Sequence, residues 1–462
     1  MKSTLFIGDT FSLNVSNYLK KNLSNEEGVE FVDLKKYDDL IQKAHKQLDA
    51  FRNGSKTGHG EEVKFMKLPY PDSGLHDIEN LKTWGKKIQD NFESVVFIGI
   101  GGSFLGNQTL FKALKHTYWN ELSKSKRKGM PKVYFAGNNV DPRSLKDLMD
   151  VIKPQKTHYV VISKSGNTME PAAALMKVFD LLKKKKLPID KHVTAVTDAQ
   201  KGTLKQICQE NNIQAFTVPD GVGGRWSILS EVGLVTAAAC GIDIDQLLAG
   251  ARSVDEITKT SDLQINLPLL YALIQYIFYK NFNKHVTVLM PYCDCLKSLS
   301  EWYVQLLAES TGKKFDKEGN EVFEGRTPLP ALGTTDMHAQ TQQHQEGANY
   351  RIFTFISIKN FKKRSLKVPE EFKHYEKLQM YAGKKMVKLL DAALSANEQA
   401  LASESRPNCR ITVSELNEFT LGQLLFFFEA ATAYEGEFLN INTYDQPGVE
   451  AYKQVMGEIL SK

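Results

Sequence analysis

The stretch Val160 to Phe179, VVISKSGNTMEPAAALMKVF, opens with three β-branched residues and closes in a helix-like pattern. The apolar start reads as a buried strand. Thr168 and Pro171 mark a helix entry, because a hydroxyl can cap free amides and proline is tolerated in a first turn. Ser163, Lys164, Ser165, Gly166, Asn167 and Thr168 therefore occupy a strand-to-helix turn. Such a turn aims unpaired backbone N–H groups and the positive end of a helix dipole at one small volume, an arrangement suited to a phosphate. An ordinary polar loop is the alternative, and Glu170 works against an anion. One lysine and three hydroxyls within six residues favour phosphate.

The same strand–helix alternation extends on both sides. From Ser94, SVVFIGI, KVYFAG, HYVVIS, HVTAVTD and QAFTVPD alternate with helix-like runs, which predicts a parallel sheet with helices on both faces. Asp141 and Pro142 form a cap and first-turn pair for the second helix. A second block starts at HVTVLMPY, His285 to Tyr292, and returns to a strand at RIFTFISI. The predicted organisation is a helical segment at 1–75 packing on the second domain, an α/β domain at 76–235, a helical connection at 236–282, a second α/β domain at 283–440 and a C-terminal helix at 441–462. The segment after Glu370 reads as helical.

Length and composition agree with this plan, since 462 residues exceed what one core usually supports. With 42% hydrophobic and 24% charged residues the chain has the balance of a soluble protein. The net charge of +5 is mild, and the densest basic run, Lys183 to Lys186, fits a solvated helix end better than a nucleic-acid surface. Lys362, Lys363 and Arg364 make no stronger case. The apolar start is broken by Gly8 and Asp9, and LLFFF at Leu424 to Phe428 is far too short to span a bilayer. Five cysteines, Cys208, Cys240, Cys293, Cys295 and Cys409, suit reduced thiols, so a cytoplasmic protein is expected.

Several further motifs could carry chemistry. IGIGGSFLG, Ile98 to Gly106, invites a dinucleotide reading, but the pattern begun at Gly99 requires glycine where Phe104 stands. What remains, with Gly101, Gly102 and Ser103, is a wall against which a ligand can lie. GVGGRWS, Gly221 to Ser227, presents Arg225 from a glycine-rich bend, suited to an anion or a developing oxyanion; a surface salt bridge is the alternative. In SLSEWYVQLLAESTGKK, Leu299, Trp302, Tyr303, Leu306 and Leu307 form one apolar face, with Gln305 and Glu309 along its edge. A solvated Gln305–Glu309 pair is the ordinary reading. Gly312, however, reads as the helix stop, leaving Glu309 in the last turn, where the dipole disfavours a carboxylate: an odd place for a structural glutamate and a good one for a general base. GTTDMHAQTQQHQEG carries His338 and His344, which are not spaced as metal ligands on one helical face, and Lys453 follows DQPGVE.

Taken together, SKSGNT, GIGGS, GGRWS, QLLAESTGK, the histidine of GTTDMHAQ and DQPGVEAYK resemble the glucose-6-phosphate isomerase family, especially its shorter bacterial members. SKSGNT alone would indicate only a sugar-isomerase (SIS) domain, which aminosugar synthases and sugar-sensing regulators also contain. The resemblance implies two SIS-type α/β domains, each a mainly parallel sheet flanked by helices in three layers. It implies phosphate binding by Ser163, Lys164, Ser165 and Thr168, a wall formed by Gly102 and Ser103, and a substrate contact at Gln305. Glu309 takes the place of the catalytic base, Arg225 that of the arginine beside the reacting carbons, and His338 with Lys453 that of the ring-opening pair. It further implies interconversion of glucose 6-phosphate and fructose 6-phosphate without a cofactor or metal, by a homodimer in which the histidine comes from the neighbouring subunit. A different or dual-specificity phosphosugar isomerase and a non-catalytic SIS sensor are the alternatives, and the sensor has no need of Glu309, His338 and Lys453 together. Two positions stand outside the pattern. Glu231 follows GGRWSILS where a smaller or apolar residue is expected, and His344 has no assigned role.

Overall fold

The computed structural model describes residues 2–23, 28–30, 33–362 and 366–461; Lys363 and Arg364 of the basic run lie outside them. The chain opens with a hairpin, β1 (Thr4–Ile7) and β2 (Phe11–Asn14). Five strands follow: β3 (Ser94–Ile98), β4 (Lys132–Ala136), β5 (Thr157–Ile162), β6 (Val193–Thr197) and β7 (Gln214–Thr217). They form one sheet in the order β4-β3-β5-β6-β7, parallel throughout. Every residue of β3, β5 and β6 is buried, as expected for strands covered on both faces. Val95 and Phe97 join one hydrophobic core while Val96 and Ile98 join another, so helices cover the sheet on both sides.

The remaining strands are β8 (Val286–Pro291), β9 (Lys313–Phe315), β10 (Glu321–Glu324), β11 (Thr327–Pro330), β12 (Arg351–Ile358) and β13 (Asn408–Val413). β9 and β10 pair as a small hairpin, and the others complete a six-stranded sheet in the order β1-β2-β13-β12-β8-β11. From β13 to β11 the pairing is parallel, whereas β2 runs antiparallel to β13. Leu289 and Ile356 face the main core and Val288 and Phe355 a second one, so this half is also layered helix, sheet, helix.

Two expectations are corrected here. Residues 1–75 are not helical at their start: Leu5, Ile7, Phe11 and Leu13 are buried at alternate positions, and the chain reverses at Gly8, whose φ of +53° suits glycine. Strands of only four residues give too short an alternation to stand out, and the hairpin is stable because it extends an existing sheet. Likewise the stretch after Glu370 contains β13, a six-residue run whose polar Asn408, Arg410 and Thr412 mask its strand character.

Helix signals hold where their cap chemistry is explicit. The Asp141 carboxylate accepts the Arg143 N–H at 3.0 Å, with Pro142 in the first turn. Thr168 occupies the N-cap position of the Met169–Lys184 helix, but its hydroxyl makes no capping bond, contrary to expectation. The connecting region folds as three helices, Glu231–Cys240, Ile244–Ile257 and Leu267–Phe282, with Gly241 in the left-handed region at the first break and Pro268 in a first turn. LLFFF belongs to the Glu418–Phe438 helix, which is buried from Thr420 to Phe438. Among the described residues no helix is long and apolar enough to cross a membrane.

That central helix carries Glu435, whose carboxylate receives Arg326 through Nε at 2.8 Å and Nη2 at 2.5 Å, while Arg326 Nη1 donates to Gln275 at 2.7 Å. Both charged groups are buried. Arg326→Met should therefore cost about 3–5 kcal/mol by stranding the Glu435 carboxylate, and Arg326→Met combined with Glu435→Leu should cost much less than the two single changes summed. Guanidinium denaturation of the three variants measures both effects.

Candidate active site

Numbered within its own sheet, β4-β3-β5-β6-β7 is the doubly wound order 2-1-3-4-5. In this order the first and third strands, β3 and β5, flank the topological switch point, and ligands bind in the crevice beyond their carboxyl ends. The loop after β3 is GIGGS and the loop after β5 is SKSGNT. The two glycine-containing motifs therefore meet because of strand order.

The SKSGNT loop is pinned from beneath. The Lys164 carbonyl accepts from Thr197 Oγ1 at 3.0 Å and the Asp198 N–H at 3.1 Å. Ser163 Oγ accepts the Gly166 N–H at 3.1 Å, and Ser165 Oγ accepts the Asn167 N–H at 3.2 Å. Each hydroxyl keeps its own proton to donate. Gly166 has φ +77°, and a Cβ there would lie 2.3 Å from the Leu204 nitrogen, so no other residue fits. Lys164, Ser165 and Thr168 remain exposed, with Lys164 Nζ 3.1 Å from Asp220 Oδ1.

The GIGGS loop is tighter. Gly101 has φ +58°, and a Cβ would stand 2.8 Å from Gln305 Nε2. Gly102 begins a helix, Gly102–Leu114, and its Cα faces the Gly224 carbonyl so closely that a Cβ would be 1.8 Å from the oxygen. Half-buried Ser103 follows. The glycine-rich wall thus contacts both the GGRWS turn and the helix of Gln305.

Arg225 is only 1% exposed, which rules out a surface salt bridge. Its Nε donates to Ser310 Oγ at 2.7 Å, Nη1 to Gln446 Oε1 at 3.0 Å, and Nη2 to the carbonyls of Thr443 at 2.6 Å and Asp445 at 3.0 Å. Four of the five guanidinium hydrogens are thereby engaged, and Nη1 stands 3.6 Å from Glu309 Oε2. Burial lowers the Arg225 pKa, opposed by the charges of Glu309 and Asp445. Trp226 fixes the turn from below, its ring centroid 4.5 Å from Phe65 and 5.5 Å from Tyr444.

Glu309 lies in the last turn of the Lys297–Thr311 helix, one side of its carboxylate accepting Gln305 Nε2 at 3.0 Å. Gln305 Oε1 is buried without a hydrogen-bond partner. Lys313, which sequence reasoning passed over, turns its buried ammonium back to the Glu309 and Asp445 carbonyls. Burial, followed by the charge of Arg225, lowers its pKa. Ser310 and Gln446 were missed too, although both lie within the motifs QLLAESTGK and DQPGVE. Their helical or loop placement beside Arg225 has no sequence signal.

The structure therefore gathers Gly102, Ser103, Arg225, Gln305 and Glu309 around one volume, with SKSGNT on the neighbouring strand. Lys453 is exposed on the Glu450–Leu460 helix, its Nζ 2.8 Å from Glu450 Oε1. Its pKa is raised chiefly by Glu450, with a smaller contribution from Glu309. His338 is exposed just beyond the Thr335–Met337 turn and makes no hydrogen bond or ion pair with this cluster. Among the described residues no three His, Cys, Asp or Glu side chains gather as metal ligands would.

Both positions outside the pattern find structural places. Glu231 Oε1 accepts the Asp77 N–H at 3.0 Å, securing the entry to the Ile78–Asn91 helix, with His76 Nδ1 3.4 Å away. His344 is buried with its ring 4.9 Å from that of Phe353, and its Nε2 lacks a partner.

A family model described as phosphoglucose isomerase matches residues 77–462. A glucose-6-phosphate isomerase of Carboxydothermus hydrogenoformans is 40% identical over 403 residues, 87% of this chain and 85% of the relative. A probable glucose-6-phosphate isomerase of Methanococcus maripaludis is 36% identical over 442 residues, 92% of this chain and 94% of the relative. The crystal structure of a glucose-6-phosphate isomerase from Chlamydia trachomatis shares the fold, with a TM-score of 0.83 at 23% identity over 99% of this chain and 90% of that one.

Gly102→Ala should destabilise the protein by about 1–3 kcal/mol, because the methyl group must displace the Gly224 carbonyl. Gly224→Ala, where a Cβ meets nothing within 4 Å, should stay within about 0.5 kcal/mol of the parent in the same denaturation measurement. His344 makes a separate prediction. Burial and the charge of Arg351 bring its pKa down to about 4, against Asp336. The unfolded chain takes up this proton near the ordinary value of about 6.5, so the contribution is complete above that pH and is lost as pH falls toward 4. His344→Phe should make the stability curve between pH 6 and 5 shallower by about 1 kcal/mol per pH unit, as read by denaturation at each pH.

Proposed function

The chain belongs to the phosphoglucose isomerase family, and from that premise we propose that it interconverts D-glucose 6-phosphate and D-fructose 6-phosphate. The observation that carries this reading is the Glu309 carboxylate, oriented by Gln305 at 3.0 Å and set 3.6 Å from a buried guanidinium held at four other points. Aldose–ketose isomerisation moves a proton between C2 and C1. It needs a base at C2 and a fixed positive charge for the cis-enediolate that forms. Glu309 takes and returns the proton. Arg225 supplies the charge, and because its position is already set by other bonds, little reorganisation accompanies the step.

The carbonyl beside C2 exists only in the open chain, so the ring must first be opened by one group that protonates its oxygen and another that accepts the C1 hydroxyl proton. His338 and Lys453 take these roles. His338 is exposed and lies outside the Glu309 cluster, which supports a homodimer in which the neighbouring subunit supplies it. Ser163, Lys164, Ser165 and Thr168 hold the phosphate, while Gly102 and Ser103 line the sugar. Binding energy at the remote phosphate serves to position C1 and C2. A sensor would use SKSGNT equally well but has no use for a carboxylate poised against Arg225. Proton transfer through an enediolate requires neither cofactor nor metal. The enzyme acts in the cytoplasm, in glycolysis and gluconeogenesis.

Purified protein should convert fructose 6-phosphate to glucose 6-phosphate in a coupled assay, with or without chelator, and solvent deuterium should enter C2. Glu309→Gln should lower isomerisation by at least about a hundredfold, since the amide keeps the shape but cannot accept a proton. The same variant should still interconvert the anomers of glucose 6-phosphate faster than buffer. Near-parent isomerisation by Glu309→Gln would make Glu309 a structural helix-end residue.

A further inference from the structure

We infer that Lys313 is a positioning residue, which sets the helix turn bearing Glu309 at its distance from Arg225; the inference rests on the isomerase reading above. Lys313 immediately follows the Gly312 stop, and its side chain is only 5% exposed. Its Nζ donates to the Glu309 carbonyl at 2.8 Å and to the Asp445 carbonyl at 2.7 Å, and stands 3.2 Å from Asp445 Oδ1.

Each contact has a structural reason. Glu309 is among the last four residues of its helix, whose carbonyls have no partner within the helix, and the ammonium provides one. Asp445 belongs to the loop that also receives Arg225, since its carbonyl accepts Nη2 at 3.0 Å. One carbonyl oxygen is therefore shared by two cations, Lys313 from the end of the catalytic helix and Arg225 from the GGRWS turn. The base, the stabilising guanidinium and the 443–446 loop form one connected unit, and Lys313 is the member that ties the backbone of the base into it. A buried ammonium is costly to desolvate, and here two of its donors go to backbone carbonyls with the Asp445 carboxylate 3.2 Å away.

Removal of the ammonium leaves the Glu309 carbonyl without its side-chain donor and the Asp445 carboxylate without its cation. The last helical turn can then shift. A displacement of about 1 Å between a base and its carbon is worth about a hundredfold in rate. Lys313→Met should accordingly lower kcat about a hundredfold while KM for fructose 6-phosphate stays within about twofold, because the SKSGNT loop lies apart from the change. Lys313→Arg keeps a cation and its donors, and should recover at least tenfold of that loss.

The decisive measurement needs no substrate. Hydrogen exchange, read by mass spectrometry on peptides spanning residues 305–312, should quicken in Lys313→Met and return toward the parent rate in Lys313→Arg. Unchanged exchange in Lys313→Met overturns the cross-link whatever the activity, and so does a kcat within threefold of the parent. If Lys313→Met fails to fold, Lys313→Arg decides alone: recovery of no more than about a hundredth of parent kcat overturns the inference. A parent protein inactive on fructose 6-phosphate overturns the reaction, and is distinguished from failure of the cross-link by the exchange result.

Discussion

A guanidinium removed from water dictates how the parts of this protein meet. Burial of Arg225 would be heavily unfavourable unless nearly every N–H found a partner, and the partners come from separate parts of the chain: Ser310 on the Lys297–Thr311 helix, and Thr443, Asp445 and Gln446 near the C-terminus. The turn that carries Arg225 follows the first sheet. Its bonds thus join the end of one sheet, the long helix beside the other and a late loop. The approach must be close, and it is close because Gly102 leaves room for the Gly224 carbonyl.

The same constraint separates binding from chemistry. The SKSGNT loop is shaped by its own backbone, with the Lys164 carbonyl anchored on β6 and its neighbour, while the Lys164, Ser165 and Thr168 side chains stay exposed and the Lys164 ammonium stands 3.1 Å from Asp220. Glu309 is placed differently, at a helix end held by Gln305 and Lys313 against Arg225. Loop geometry can position a phosphate by many weak contacts. Proton transfer, the role proposed for Glu309, needs one defined orientation of the carboxylate, and a helix turn tied at side chain and backbone provides it.

Much of the α/β plan was legible because strands buried on both faces appear as unbroken β-rich runs, and each parallel connection requires a helix between them. Asp141 with Pro142 marked a helix start through a local bond that needs no distant partner. The N-terminal hairpin and β13 were not legible. Their short, half-polar runs acquire strand character only by pairing, β2 with β13 near the other end of the chain and β13 with β12 across an intervening helix. Glu231 and His344 were equally opaque: the first meets the Asp77 N–H far earlier in the chain, and the second packs on Phe353 of β12 across a turn that no periodicity announces.

The sequence by itself determined the local devices: a polar turn between strand and helix, glycines where the chain must bend or be approached, an amphipathic helix with Gln305 and Glu309 on one edge, and the motifs that identify the family. These depend on spacing along the chain and on backbone preference, which a string of residues carries directly. Only the tertiary structure decided that GIGGS and SKSGNT follow adjacent strands, that Arg225 is buried and almost fully bonded, and that Ser310 and Lys313 bond Arg225 and the Glu309 carbonyl. Strand order, burial and the partner of each N–H arise when distant segments pack, and the electrostatics of a charge depend on the groups brought around it more than on its neighbours in sequence.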